Sequence, residues 1–181
     1  NAGCGCFTGD SKVLMGDNST KNVEDLKKGD IISTRKIKQP RSLCDQNLKD
    51  HGVADLCVLP NGLKITKNHP ILHKGEWIYP SEIIKSVSTP CDFVYNLVVD
   101  DSHIAIINNT PLILLGHNYT TGILNHPYLG TKKVIEDLST MPGFHSGLVE
   151  LNDGCLLKSK FARNYKIIYN GPEFQKLKSV S

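Results

Sequence analysis

Gly5-Cys6-Phe7-Thr8-Gly9-Asp10-Ser11-Lys12-Val13 is the stretch on which the reading of this chain turns. A glycine places an unshielded carbonyl directly before a cysteine, so the Cys6 thiol is the nearest nucleophile to the Gly5 carbon. Attack there moves the acyl group from nitrogen to sulfur and turns an amide into a thioester. That step is uphill in an ordinary peptide. It needs a proton donor for the leaving amine and hydrogen-bond donors for the oxyanion. Residues of that kind recur downstream.

Outward from this stretch the chain reads as short strands joined by tight turns. Val13 to Met15 form a first strand, and Gly16-Asp17-Asn18-Ser19 a turn. Val23 and Leu26 are spaced for a single helical turn that Gly29 closes. Ile31 to Thr34 return as a strand, while Lys36 to Gly52 are polar, weakly patterned and read as loop. Val53 to Leu59 and Leu63 to Thr66 flank Pro60-Asn61-Gly62, and Asn-Gly is a strong hairpin signal. Pro80 opens a short helical turn. Phe93 to Val99, His103 to Ile107 and Leu112 to Leu115 are strands, with Asn108-Asn109 a second hairpin turn.

This pattern predicts an all-β domain up to about Asn118. Beyond it, Val134, Ile135, Leu138 and Met141 have helical spacing, with Thr131 as N-cap and Pro142-Gly143 as stop. Further strands are expected from Leu148, and a linker after Gly171. The expected organisation is an upstream segment at 1–5, a β domain at 6–118, a C-terminal extension with one helix at 119–170, and a tail at 171–181.

Composition narrows the function classes. The chain has 181 residues, 39% hydrophobic and 22% charged, with a net charge of +3, as in ordinary soluble globular proteins. The basic cluster from Thr34 to Arg41 has no interleaved aromatic side chains for base stacking, so it reads as a solvated loop and no nucleic-acid partner is expected. The longest apolar run, Thr110 to Gly116, is far short of the roughly 20 residues that span a bilayer, so no membrane partner is expected. Asn1-Ala2-Gly3-Cys4 is neither basic nor apolar, which suggests a piece of a longer protein.

Six cysteines stand at irregular spacings, and a domain of this size can build a core without staples. Cys57 reads as a buried strand residue. Cys4-Gly5-Cys6 lacks a partner pair at C-x-x-C spacing, so neither metal nor cofactor is expected. A nucleophilic Cys6 must be reduced, which favours a reducing compartment such as the cytoplasm. A monomer is expected.

Two later motifs carry candidate chemistry. Thr66-Lys67-Asn68-His69 can aim a hydroxyl and an imidazole at one backbone amide. His69 would protonate the leaving nitrogen and Thr66 would hydrogen-bond the amide or the oxyanion. The structural alternative is a turn-capping threonine and a buried histidine. His103 is either a second proton-transfer group or a polar residue at a turn. In Gly116-His117-Asn118, an asparagine after a histidine can cyclise and cut the chain behind it. Tyr119 cannot take up an acyl group, and the alternative there is a plain strand end.

Together these blocks resemble the Hint superfamily of Hedgehog autoprocessing domains and inteins. The matching blocks are Gly5-Cys6-Phe7 with Val13, Val23 to Asp30, Thr66 to Pro70, and Val94 through His103. The start Asn1 to Phe7, Leu114-Leu115-Gly116-His117 and His126-Pro127-Tyr128-Leu129-Gly130-Thr131 resemble more closely the Vint family, Hint domains found with von Willebrand A domains. The resemblance implies a horseshoe-shaped β fold with pseudo-twofold halves and self-cleavage through a thioester at Gly5–Cys6. It implies Cys6 as nucleophile, Thr66 and His69 as activators of the scissile amide, and His103, His117 and Asn118 as C-terminal groups.

The implied partners are the chain's own upstream polypeptide, a von Willebrand A-type domain among the candidates, and water or an external nucleophile. Tyr119 and the long spacing from His103 to Asn118 depart from the intein pattern, so cleavage is expected rather than full protein splicing. Hedgehog domains use cholesterol as acceptor. Residues 119–181 lack a long aliphatic helix, so a sterol is not expected here. The alternatives are full intein-like splicing, a non-catalytic Hint module kept for interaction or linkage, and a redox or zinc site at Cys4-Gly5-Cys6.

Overall fold

The structure, a computed structural model, describes residues 5–33, 54–99 and 103–150 in full. It describes the backbone alone for strand residues 35–36, 39–44, 53, 151, 156–158 and 165–167. The first half holds β1 (Phe7–Thr8), β2 (Lys12–Leu14), β3 (Thr20–Asn22), β4 (Ile31–Ile32), β5 (Arg35–Lys36), β6 (Gln39–Cys44), β7 (Val53–Val58), β8 (Lys64–Ile65) and β9 (Ile71–His73). The second holds β10 (Glu76–Ile78), β11 (Val87–Pro90), β12 (Val94–Val98), β13 (Ile104–Ile107), β14 (Thr110–Ile113), helix α1 (Lys132–Ser139), β15 (Leu148–Leu151), β16 (Leu156–Lys158) and β17 (Tyr165–Ile167).

Two sheets dominate this mostly β fold. One has the order β11-β7-β8-β1-β12-β6-β15 and the other β10-β9-β14-β13-β2-β3. The two-residue β1 is paired on both edges, antiparallel to β8 and to β12. The expected hairpins form. Gly62 takes φ +86°, and Asn108 and Asn109 take φ +48° and +60°, the left-handed backbone that Asn-Gly and Asn-Asn turns require. Asn61 ties the two turns together, its side-chain amide donating to the Asn108 carbonyl (2.6 Å) and to Thr110 Oγ1 (2.7 Å).

One expectation is overturned. The 36–52 stretch contains a six-residue strand, β6, inside the larger sheet. Gln39-Pro40-Arg41-Ser42-Leu43-Cys44 has weak strand propensity. Its extended backbone is fixed by tertiary pairing, antiparallel to β12 and parallel to β15, and such pairing routinely overrides local preference. The strands expected from Leu148 are present as β15 to β17. The linker expected after Gly171 lies outside the described residues.

The helix is where its spacing places it. Thr131 Oγ1 accepts from the Lys133 N–H at 3.3 Å, a side-chain cap on the first turn. Val134 and Leu138 are buried. They belong to an apolar cluster that crosses Asn118: Cys6, Leu56, Val94, Val98 and Leu115 pack with Tyr128, Val134, Leu138, Met141, Phe144 and Val149. A second cluster, with Phe7, Val13, Leu26, Leu63, Ile65, Leu97, Ile107 and Leu112, fills the rest.

Because the extension completes the core, a fragment ending at Asn118 should not fold cooperatively. Each buried aliphatic side chain is worth roughly 1.5–3 kcal/mol, and several together rival the roughly 5–15 kcal/mol that holds a domain folded. Thermal unfolding of that fragment should show no sharp transition, where residues 1–151 show one.

Candidate functional site

The register of β1 builds the site. Phe7 lies opposite Ile65 on β8 and opposite Tyr95 on β12. One residue upstream, antiparallel pairing puts Cys6 between Thr66 and Asn96. The Cys6 N–H donates to Thr66 Oγ1 at 2.9 Å, and the Thr66 N–H donates to the Cys6 carbonyl at 2.8 Å. From the other side, Asn96 Nδ2 donates to the Gly5 carbonyl oxygen. The orientation of this amide is fixed, since its Oδ1 accepts the Leu97 N–H at 2.7 Å. Both polar ends of the Gly5–Cys6 peptide are therefore held by side chains of flanking strands. Cys6, Thr66 and Asn96 are 0%, 6% and 2% exposed, so the bond from Cys6 to Thr66 is sheltered from bulk water.

A tight turn after β8, with the His69 N–H on the Thr66 carbonyl at 3.2 Å, folds His69 back over the junction. Its Nε2 lies 2.6 Å from the Ile113 carbonyl. A carbonyl only accepts, so Nε2 carries the proton and Nδ1 is the basic atom of the neutral ring. The ring also packs on Phe7, with centroids 5.6 Å apart. It occupies the space a side chain at position 5 would need: a Cβ there would sit 2.7 Å from His69 Cγ and Nδ1. Only glycine fits before Cys6.

The other expected residues divide. His103 is half-buried, with φ +49°, and its Nδ1 donates to the Leu115 carbonyl at 2.9 Å. The last residue of β14 and the segment just after it thus anchor two histidines, through the carbonyls of Ile113 and Leu115. His117 is half-buried, and its Nδ1 accepts the Tyr119 N–H at 2.9 Å. Asn118 is exposed at φ +61°. Its N–H donates to the Gly130 carbonyl at 2.6 Å, which ties the chain after the junction to the extension. Cys4 lies outside the described residues, and among those residues no three His, Cys, Asp or Glu side chains are grouped to hold a metal ion.

A cleft of about 290 Å³ opens beside Gly5. It is lined by Gly5, His69, Asn96, His117 and His126, with Ile113, Leu115, Ile123, Leu124 and Leu129 among its apolar walls. Burial, reinforced by His103, His126 and His69, pushes the His117 pKa down to about 4. Its ring is neutral at physiological pH. Burial pushes the Cys57 and Cys91 thiols up.

Asn96 escaped the sequence reading, although a signal was there. An asparagine in the apolar run Val94-Tyr95-Asn96-Leu97-Val98 has to find buried hydrogen-bond partners. The contribution of Ile123 to Leu129 carried no such signal, because it depends on where the extension folds back.

A mostly β fold that buries a cysteine at a Gly–Cys junction between a threonine and an asparagine is a Hint-type domain. The family model described as the Vint Hint-domain matches residues 5–165, and the chain belongs to that family. It is thereby a member of the broad class of self-processing and splicing domains. Solved structures to which it is similar include a variant of the Ssp DnaB mini-intein, at 14% identity over 63% of this chain and 97% of that one, with a TM-score of 0.45. Another is the gp41-1 intein, at 11% identity over 61% and 98% of the two chains, TM-score 0.43. A third is a DnaB intein from Synechocystis sp. PCC 6803, at 16% identity over 61% and 99%, TM-score 0.39. No curated protein matches.

The depressed pKa of His117 has a consequence for stability. It lies below the ordinary value of 6.5, so protonation favours the unfolded chain. The stability tied to the neutral ring is complete above that ordinary value and is lost as pH falls through the folded one. The urea midpoint should therefore fall more between about pH 7 and about pH 4.5 in the wild type than in His117→Gln.

Proposed function

We propose that this domain rearranges its own backbone at Gly5–Cys6, forming an internal thioester through which the upstream segment is released to water or another nucleophile. The observation that best supports this reading is the clamp on the Gly5–Cys6 peptide, with Asn96 on its oxygen and Thr66 on its nitrogen.

The steps follow from those positions. Cys6 Sγ bonds to the Gly5 carbonyl carbon while the thiol proton moves to His69 Nδ1. Negative charge develops on the Gly5 oxygen, where the Asn96 amide already donates. A preorganised donor on a largely buried side chain is worth more to that oxyanion than one in water. The carbon–nitrogen bond then breaks, and His69 returns its proton to the Cys6 nitrogen, which Thr66 orients. Base and acid are one atom, and the Ile113 carbonyl keeps the other ring nitrogen protonated throughout. Splitting the thioester regenerates the Cys6 thiol.

Cleavage is better supported than full splicing. Asn118 is exposed and backbone-bonded to Gly130, and Tyr119 after it has no nucleophile suited to acyl transfer.

The test is intact mass over time on the chain fused behind a folded upstream protein, with dithiothreitol or hydroxylamine added. The wild type should release a fragment ending at Gly5. Cys6→Ala should release none, and Cys91→Ala should match the wild type. Asn96→Ala should slow release by about 10²–10³-fold, the usual loss for one oxyanion donor. Undiminished release from folded Cys6→Ala would contradict the mechanism.

Gly5→Ala should fail for a steric reason, since its methyl would displace the His69 ring. Release should fall and the melting temperature should drop by a few degrees as the buried ring is displaced, which a parallel melt would check.

A further inference from the structure

The segment after Asn118 treats the two sides of the junction differently. On the thiol side, Tyr128, Val134, Leu138 and Met141 share a buried cluster with Cys6, which has no exposed surface. On the carbonyl side, Gly5 faces the cleft, whose wall includes Ile123, Leu124 and Leu129 of the same segment. The open side of the junction is therefore the Gly5 side.

The chemistry of the cleft restricts what enters. Its volume of about 290 Å³ lies at the small end of small-molecule sites. Among the described residues that line it there is no carboxylate, lysine or arginine. Its polar groups are amides, a phenol, imidazoles and backbone. Desolvating an ion against aliphatic walls with no opposite charge is costly, and the same surroundings hold His117 neutral.

We propose that this cleft is an acceptor port, which admits small uncharged nucleophiles to the Gly5 carbonyl carbon and turns charged ones away. The proposal rests on the thioester reading above and names the class of acceptor it serves. In the transfer step the heteroatom of the nucleophile bonds to the Gly5 carbonyl carbon and the carbon–sulfur bond breaks. The proton of the nucleophile passes to the Cys6 sulfur. No oxidant or reductant is needed.

The test uses the full chain with its upstream fusion and three thiols of similar size: neutral 2-mercaptoethanol, cationic cysteamine and anionic 2-mercaptoethanesulfonate. Each release rate is divided by the rate of the same thiol on an unstructured peptide thioester, and hydroxylamine serves as the probe of the thioester itself. The port predicts that 2-mercaptoethanol exceeds both ions by roughly tenfold or more. Ile123→Lys, at a half-buried position of the wall, should shift the preference towards the sulfonate. Equal normalised rates alongside normal hydroxylamine release would overturn the port and leave the thioester standing. An unshifted preference in folded Ile123→Lys would count against the port as well. No hydroxylamine release from the folded wild type would sink the thioester reading, and the port with it.

Discussion

The structure depends on the double pairing of β1. Two residues cannot hold a strand in place by themselves, yet Phe7 is locked between Ile65 and Tyr95 and has no exposed surface. That register decides everything one residue upstream. It sets Thr66 on one side of Cys6 and Asn96 on the other, and the 66–69 turn brings His69 over Gly5. A slip of one residue would reverse the faces and scatter the group. The chemistry proposed here follows from strand registration, with one tight turn added to bring in His69.

The extension is the second half of the account. Its helix buries one apolar stripe in the same cluster that holds Cys6. Burial of that cluster lowers the local dielectric around Cys6, which strengthens the hydrogen bonds at its peptide. It also keeps water from one face of any thioester formed there. The backbone bonds from Gly116 to Leu129 and from Asn118 to Gly130 show how the seam is closed. The same bonds hold the His-Asn pair as part of a continuous fold, which agrees with a domain that acts at its N-terminal junction.

Much of this was legible in the sequence, for physical reasons. Asn61-Gly62 and Asn108-Asn109 announce hairpins because few other residues tolerate a left-handed backbone. Helix α1 declares itself through the spacing of Val134 and Leu138 and the cap at Thr131. Cys6, Thr66 and His69 stood out by residue type, and the fold brings them together with Gly5. Strand β6 was hidden because its conformation comes from its neighbours, β12 and β15. Asn96 was hidden because a polar residue in a strand says that a partner exists without saying which one. The cleft was invisible because nothing in the sequence brings Ile123 and Leu129 to the same cleft as Gly5.

The central claim is that Thr66 and Asn96 poise one peptide bond for transfer to sulfur. The most direct measurement is the carbon-13 spectrum of the chain with its upstream fusion, labelled at the Gly5 carbonyl. The account predicts two resonances for the folded protein, an amide and a thioester. The thioester signal should be absent in Cys6→Ala and slower to appear in Thr66→Ala and Asn96→Ala. A single amide resonance in the folded wild type, with no thioester signal emerging under any thiol, would contradict it.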